Sequence, residues 1–265
     1  MKKSIKAVIF DWAGTMIDFG CIAPVDAFIS AFEEKKIRIT LQEAREPMGL
    51  AKRDHVKAIL SVERVQNEWK RIYNSLPTDK DIDGIYALVT PKMILAVEQS
   101  CEPIDGIVEI LLKLKSQGIK IGSTTGYVES IMEKIIPIAS SKGVLVDSVS
   151  NSSDCKEGRP APFMIFRNME NLGIYDTSCV LKIGDTVADI CEGLNAKVWS
   201  VGIVCSGNEV GLSKNEFEAL DEKTKGELIN TATEKLFNAG ANYVMNDMSE
   251  IFSVIENINV KLNNQ

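Results

Sequence analysis

Phe10-Asp11-Trp12-Ala13-Gly14-Thr15 sets a carboxylate directly behind the apolar run Ala7–Phe10. At the end of a buried strand such a carboxylate can act as a nucleophile; an Asx-type turn is the plainer alternative. Gly122-Ser123-Thr124-Thr125-Gly126-Tyr127 ends a second run in hydroxyls and a glycine, the makings of an anion site at a helix start. Ser and Thr are also common helix caps. Gly158-Arg159-Pro160 places a guanidinium just before an expected helix start at Pro160, where it can grip a phosphoryl group bidentately. Gly184-Asp185-Thr186-Val187-Ala188-Asp189 puts two acids across a strand end and a helix start, hard ligands of the kind Mg²⁺ takes. A cap and a first-turn acid give the same pattern for purely helical reasons. In Met48-Gly49-Leu50-Ala51-Lys52-Arg53-Asp54-His55, a helix makes Lys52 and His55 i, i+3 neighbours on one face.

These groups need elements to position them. Ala7–Phe10, Ile119–Ser123, Val144–Val146, Cys179–Ile183, Val198–Val204 and, more weakly, Asn242–Met245 are short, largely apolar runs, as expected of buried parallel strands. Helical patterns lie between them. Ile107, Leu111 and Leu114 repeat on one face, and Gly118 ends that helix. The alternation predicts an α/β class: a Rossmann-like, doubly wound parallel sheet. The stretch from 20 to 103 is different. Val25–Lys35, Leu41–Arg45, Leu50–Leu60, Val62–Tyr73 and Ile82–Cys101 all read as helix, with no strand-like run among them. We therefore expect a core domain of 1–19 and 104–265 and an inserted helical cap of 20–103.

Composition narrows the function. With 30 Lys+Arg against 37 Asp+Glu the net charge is −7, which disfavours nucleic acid and acidic membranes as partners but not a local anion pocket. No run of about 18 apolar residues is present, so no membrane span is expected. The N-terminal apolar run is too short for a signal peptide. Six dispersed cysteines and a single histidine suggest neither disulfides nor a zinc site, and a cytoplasmic location is expected.

Nucleophile, hydroxyl, arginine and paired acids, in this order and each near a strand end, resemble the four motifs of the haloacid dehalogenase superfamily. One departure is informative. Phosphatases and mutases of that superfamily carry a general acid two residues after the nucleophile, and here that position is Ala13. Asp11–Thr15, Gly20-Cys21, Pro47–His55, Gly122–Tyr127, Gly158–Pro160 and Gly184–Thr186 together are similar to the phosphonatase family, whose members cleave phosphonoacetaldehyde. The resemblance implies Asp11 as nucleophile and Lys52 as the amine that forms a Schiff base with the aldehyde. It implies Thr125, Gly126 and Arg159 as the phosphate-binding group. Mg²⁺ would be held by Asp11, the Ala13 carbonyl and Asp185. Cys21, Met48, His55, Tyr127 and Asp189 would support them. It further implies a small-molecule phosphonate substrate, a homodimer through the cap, and cap closure about Phe19-Gly20 and Cys101–Pro103. The alternative reading is a capped phosphate-monoester phosphatase or phosphomutase of the same superfamily.

Overall fold

A strand with no polar residue on either face is stable only between two layers. Ala7–Phe10 (β1) is such a strand, with all four side chains fully buried. In the computed structural model, which describes residues 3–264, β1 lies inside a six-stranded sheet. Lys120–Thr125 (β2) and Ser148–Asn151 (β3) lie on one side of it. Val180–Gly184 (β4), Trp199–Ile203 (β5) and Tyr243–Met245 (β6) lie on the other. The order is β3-β2-β1-β4-β5-β6, and every neighbouring pair is parallel. The chain winds outward from β1 to β3, then returns to β4 and winds the other way. The switch point is therefore between β1 and β4, where open parallel sheets bind ligands.

Five helices separate β1 from β2: Ile22–Glu34 (α1), Leu41–Arg45 (α2), Lys52–Ser61 (α3), Glu63–Tyr73 (α4) and Asp79–Ser100 (α5). The Asp18 carboxylate starts α1 by accepting from the Ile22 and Ala23 amides, both at 3.2 Å. A capping box between Thr78 and Asp81 starts α5 three residues before the expected Ile82. Phe28 and Phe32 of α1 are fully buried, as are Ile85, Val89 and Met93 at successive turns of α5, and the two helices pack together. The two chain crossings between these helices and the sheet run side by side. Ile17 bridges Pro103, the Asp18 amide donates to Glu102 O at 3.2 Å, and the Ile104 amide donates to Met16 O at 2.9 Å.

The remaining helices are Ile107–Ser116 (α6), Glu129–Ser141 (α7), Phe163–Asn171 (α8), Val187–Asn195 (α9), Lys214–Ala219 (α10), Glu222–Asn238 (α11) and Ile251–Asn263 (α12). No described helix is long and apolar enough to cross a membrane.

Two expectations are corrected. Val144–Val146 is not a strand; the third strand is the more polar Ser148–Asn151 just beyond it. Hydrogen bonds that hydropathy does not register hold its first residue, since Ser123 Oγ donates to Ser148 O and Asn171 Nδ2 donates to Ser148 Oγ, whereas the buried Ser150 hydroxyl has no partner. The helix after Arg159 starts at Phe163, not at Pro160. A residue before proline disfavours helical backbone, and residues 159–162 form turns ahead of the helix.

Candidate active site

The Asp11 amide donates to Ile183 O at 2.9 Å and so carries the β1–β4 ladder one residue past β1. The chain then turns tightly, with the Thr15, Met16 and Ile17 amides all directed at Trp12 O. Gly14 in this turn has φ +76°, and a Cβ there would overlap Asp185 Oδ2. A glycine is thus required both by conformation and by the approach of the acid. Asp185 follows β4 and is fixed by two donors, the Asn208 amide at 2.7 Å and Thr15 Oγ1 at 3.3 Å.

Carboxylate oxygens of Asp11, Asp185 and Asp189 lie within 4.8 Å of one another, and all three residues are buried. Burial and the charge of Asp189 raise the pKa of Asp11; burial and the charges of Asp11 and Asp189 raise that of Asp185 well above the carboxylate range. Crowded, dry carboxylates that resist ionisation are what a hard dication relieves, so the donor set fits Mg²⁺. Asp189 differs from the other two. Burial opposes its ionisation, but Lys182 Nζ at 2.7 Å and Arg159 Nη1 at 3.0 Å hold its pKa below the usual value.

Arg159 is the hub of a buried ionic network. Its Nη2 donates to Asp11 Oδ1 at 2.6 Å and to Thr124 O and Oγ1, both at 2.8 Å. Its Nε donates to Glu192 Oε2 at 2.9 Å. The Asp11 carboxylate is therefore aimed by a guanidinium that is itself clamped. Thr125 Oγ1 accepts from the Tyr127 amide at 3.1 Å, which orients its hydroxyl at the start of the β2–α7 turn.

Lys52 enters from the opposite side. It is the first residue of α3 and is only 4% exposed. Burial lowers its pKa to about 8, with the Arg159 charge acting in the same direction against the acids nearby. Its place at a helix N-terminus also disfavours the ammonium form. His55, one turn on, does not face the site. It stacks on Phe28 with centroids 3.8 Å apart, and its Nε2 lies 2.8 Å from Ala44 O. A carbonyl partner requires the proton on Nε2, and burial, with the Lys52 charge, holds the ring neutral.

Most of the singled-out positions meet at one place. Asp11, Ala13, Thr125, Gly126, Arg159 and Asp185 from the sheet side line one cavity with Cys21, Met48, Lys52 and Tyr127. His55 and Asp189 stand behind that lining. The cavity has room for little more than a water, ≈ 20 Å³. Gly126 lies directly against Gly49 and Leu50; a Cβ on it would overlap Leu50 O and come within 2.9 Å of Gly49 O.

Sequence reasoning missed Lys182 and Glu192, both fully buried. Glu192 accepts from Thr124 Oγ1 at 3.0 Å as well as from Arg159. A signal for Lys182 was present: it is the one charge inside the apolar run Cys179–Ile183, and a lysine in a buried strand needs a partner. Glu192 looked like any acid on a helix.

The profile described as haloacid dehalogenase-like hydrolase matches residues 5–196, and with the sheet order and the carboxylate site it defines the class: the chain is a hydrolase of that family. A phosphonoacetaldehyde hydrolase from Parabacteroides distasonis is 44% identical over 97% of this chain and 98% of its own length. One from Bacillus cereus is 40% identical over 96% of each chain. The crystal structure of a phosphonoacetaldehyde hydrolase-like protein from Oleispira antarctica superposes with a TM-score of 0.97 at 37% identity, covering 99% of this chain and 95% of the other. Within the superfamily the chain belongs to the phosphonoacetaldehyde hydrolase family.

Proposed function

We propose that this enzyme cleaves the C–P bond of phosphonoacetaldehyde to acetaldehyde and phosphate, through a Schiff base on Lys52 and a phosphoryl group carried on Asp11. The observation that carries the reading is the placement of a buried lysine with a pKa of about 8 on the same small cavity as Asp11, where Ala13 provides no acid.

The chemistry follows from those residues. A C–P bond breaks heterolytically only if the carbon's electron pair has somewhere to go. The neutral Lys52 amine adds to the aldehyde carbon and expels water, giving a protonated imine that is the electron sink. Asp11, aimed by Arg159, attacks phosphorus; the P–O bond forms as the C–P pair moves into the imine to give an enamine. The leaving group is thus carbon, and no acid is needed at position 13 to protonate an alkoxide. Arg159 and Thr125 stay with the phosphoryl oxygens. Water hydrolyses the acyl phosphate, the enamine takes a proton on carbon, and hydrolysis of the resulting imine frees acetaldehyde and Lys52. Asp11, the Ala13 carbonyl and Asp185 would hold Mg²⁺, whose positive charge would offset that of the phosphoryl oxygens.

In this reading residues 20–103 form a mobile cap over a core of 1–19 and 104–265. The cavity of ≈ 20 Å³ supports this, since a phosphonate enters only if the Lys52 side moves away. Assembly as a cytoplasmic homodimer through the cap belongs to the same proposal; a monomer by light scattering removes that part.

Lys52→Arg is the deciding variant. Arginine keeps the charge but offers no practical imine-forming amine. Phosphate and acetaldehyde release from phosphonoacetaldehyde should fall by at least about 10³-fold. Borohydride added with acetaldehyde should label Lys52 in the wild type and leave the variant unlabelled. A phosphomonoesterase or phosphomutase would keep its activity in Lys52→Arg and give no adduct; that result overturns the proposal.

A further inference from the structure

The segment after β5, residues 206–211, touches several parts of the molecule at once. Ser206 Oγ donates to Gly14 O at 2.7 Å, and Ser206 O accepts from the Gly20 amide at 2.7 Å. The Asn208 amide donates to Asp185 Oδ2 at 2.7 Å. The Asn208 side chain turns to α2. Its Oδ1 accepts from Arg45 Nη1 at 3.1 Å, and its Nδ2 donates to Arg45 O at 3.2 Å. The same guanidinium donates to Gly20 O and to Gly211 O, each at 2.9 Å. Asn208 is buried, at 3% exposure. One residue therefore carries Asp185 on its backbone and the end of α2 on its side chain.

We propose that Arg45 and Asn208 form a latch that couples seating of the segment leading into Lys52 to the orientation of Asp185. Both are positioning residues; neither lines the cavity. Arg45 closes α2, and Met48–Ala51, which lies against Gly126 and Gly158, follows almost at once. When that segment seats, the guanidinium fork finds three oxygens and Asn208 gains two hydrogen bonds. When it lifts, those bonds go, and the loop that presents the Asn208 amide is freed. Thr15 Oγ1, at the longer 3.3 Å, is then the other donor to Asp185. Lysine in place of Arg45 cannot span Gly20, Asn208 and Gly211 together, because it lacks the fork. Lys235 adds a second tie, to the largely buried Glu209 at 2.8 Å and to the exposed Glu46 at 3.1 Å; the Glu46 pair, open to solvent, contributes less.

The latch rests on the reading of Asp185 as a metal ligand, and its test separates the two. Mg²⁺ binding without substrate is measured by calorimetry on the full chain, and amide exchange is followed by mass spectrometry in 47–52 and 206–211. Arg45→Ala should weaken Mg²⁺ about five- to tenfold, a coupling typical of linked sites. It should speed exchange in both segments and lower kcat/KM, with Arg45→Lys intermediate. Asn208→Ala keeps the amide that Asp185 uses, so weaker Mg²⁺ binding there reports the side-chain tie alone; it also carries the test if Arg45→Ala does not fold. Faster exchange in 47–52 alone, with wild-type Mg²⁺ affinity in all three variants, overturns the latch. If the wild type binds no Mg²⁺, the metal reading fails, and the exchange of 206–211 in Arg45→Lys decides the latch by itself.

Discussion

Lys52 Nζ lies 4.8 Å from the centre of the Tyr127 ring, so an amine from the helices between β1 and β2 rests on a side chain of the β2–α7 turn. The Phe28 ring is 5.7 Å away. Aromatic faces favour the ammonium form, but burial outweighs them and brings the pKa to about 8.

Imine formation in the free enzyme should follow that value. Trapping of Lys52 with acetaldehyde and borohydride should rise with pH and level off above about 8. A midpoint close to the ordinary 10.5 would show an amine that is not desolvated.

The same shift has a stability consequence. Between about 8 and 10.5 the unfolded chain holds a proton on Lys52 that the folded chain has lost, so stability rises with pH across that window. Below it, the buried ammonium costs the fold its full penalty. Lys52→Met should therefore be more stable than the wild type at pH 7, by about 1–3 kcal/mol, with the gain fading toward pH 10. Urea midpoints at the two pH values check this.

Arg159 is bonded to Asp11 and Glu192 and paired with Asp189. Arg159→Met leaves Asp189 and Glu192 with Lys182 and deprives Asp11 of its direct partner, and should destabilise the fold by about 3–5 kcal/mol, besides ending turnover. A loss under about 1 kcal/mol in chemical denaturation would mean the network rearranges without cost.

Asp185→Asn removes a like charge from a buried cluster. Without metal, the variant should melt at a higher temperature than the wild type. Added Mg²⁺ should raise the wild-type transition and leave the variant unmoved, while turnover is lost. Calorimetry with and without chelator measures both. Full wild-type activity after exhaustive chelation would contradict the metal assignment.

Gly126→Ala places a methyl against Leu50 O and Gly49 O. Lifting 49–51 relieves the clash, so the cost should appear in catalysis more than in folding. We expect kcat/KM to fall at least about tenfold, as geometry at the reacting groups is disturbed, with a melting temperature within a few degrees of wild type. Unchanged kinetics would show that this contact is not needed for turnover.

Much of the molecule was legible locally. β1, β4 and β5 are largely apolar runs because parallel strands are buried on both faces, β2 showed itself by its apolar start at Ile119–Ile121, and the helices show their 3.6-residue spacing. The polar β3 escaped because hydropathy does not register its ladder to β2 or the bonds that Ser123 and Asn171 make to Ser148. The order of the sheet, with β4 rather than β3 beside β1, has no local signal either.

The site divides in the same way. Asp11, Lys52, Arg159 and Asp185 drew notice by type and by position near element ends, which is local information. That Arg159 aims Asp11 from 148 positions away, that Lys182 and Glu192 complete its charge balance, and that Arg45 meets Asn208 were decided only by packing. Backbone periodicity is set by neighbouring residues and can be read from them. Which side chains meet depends on which strands become neighbours and how the inserted helices seat on them, and both are settled by burial of the whole chain at once.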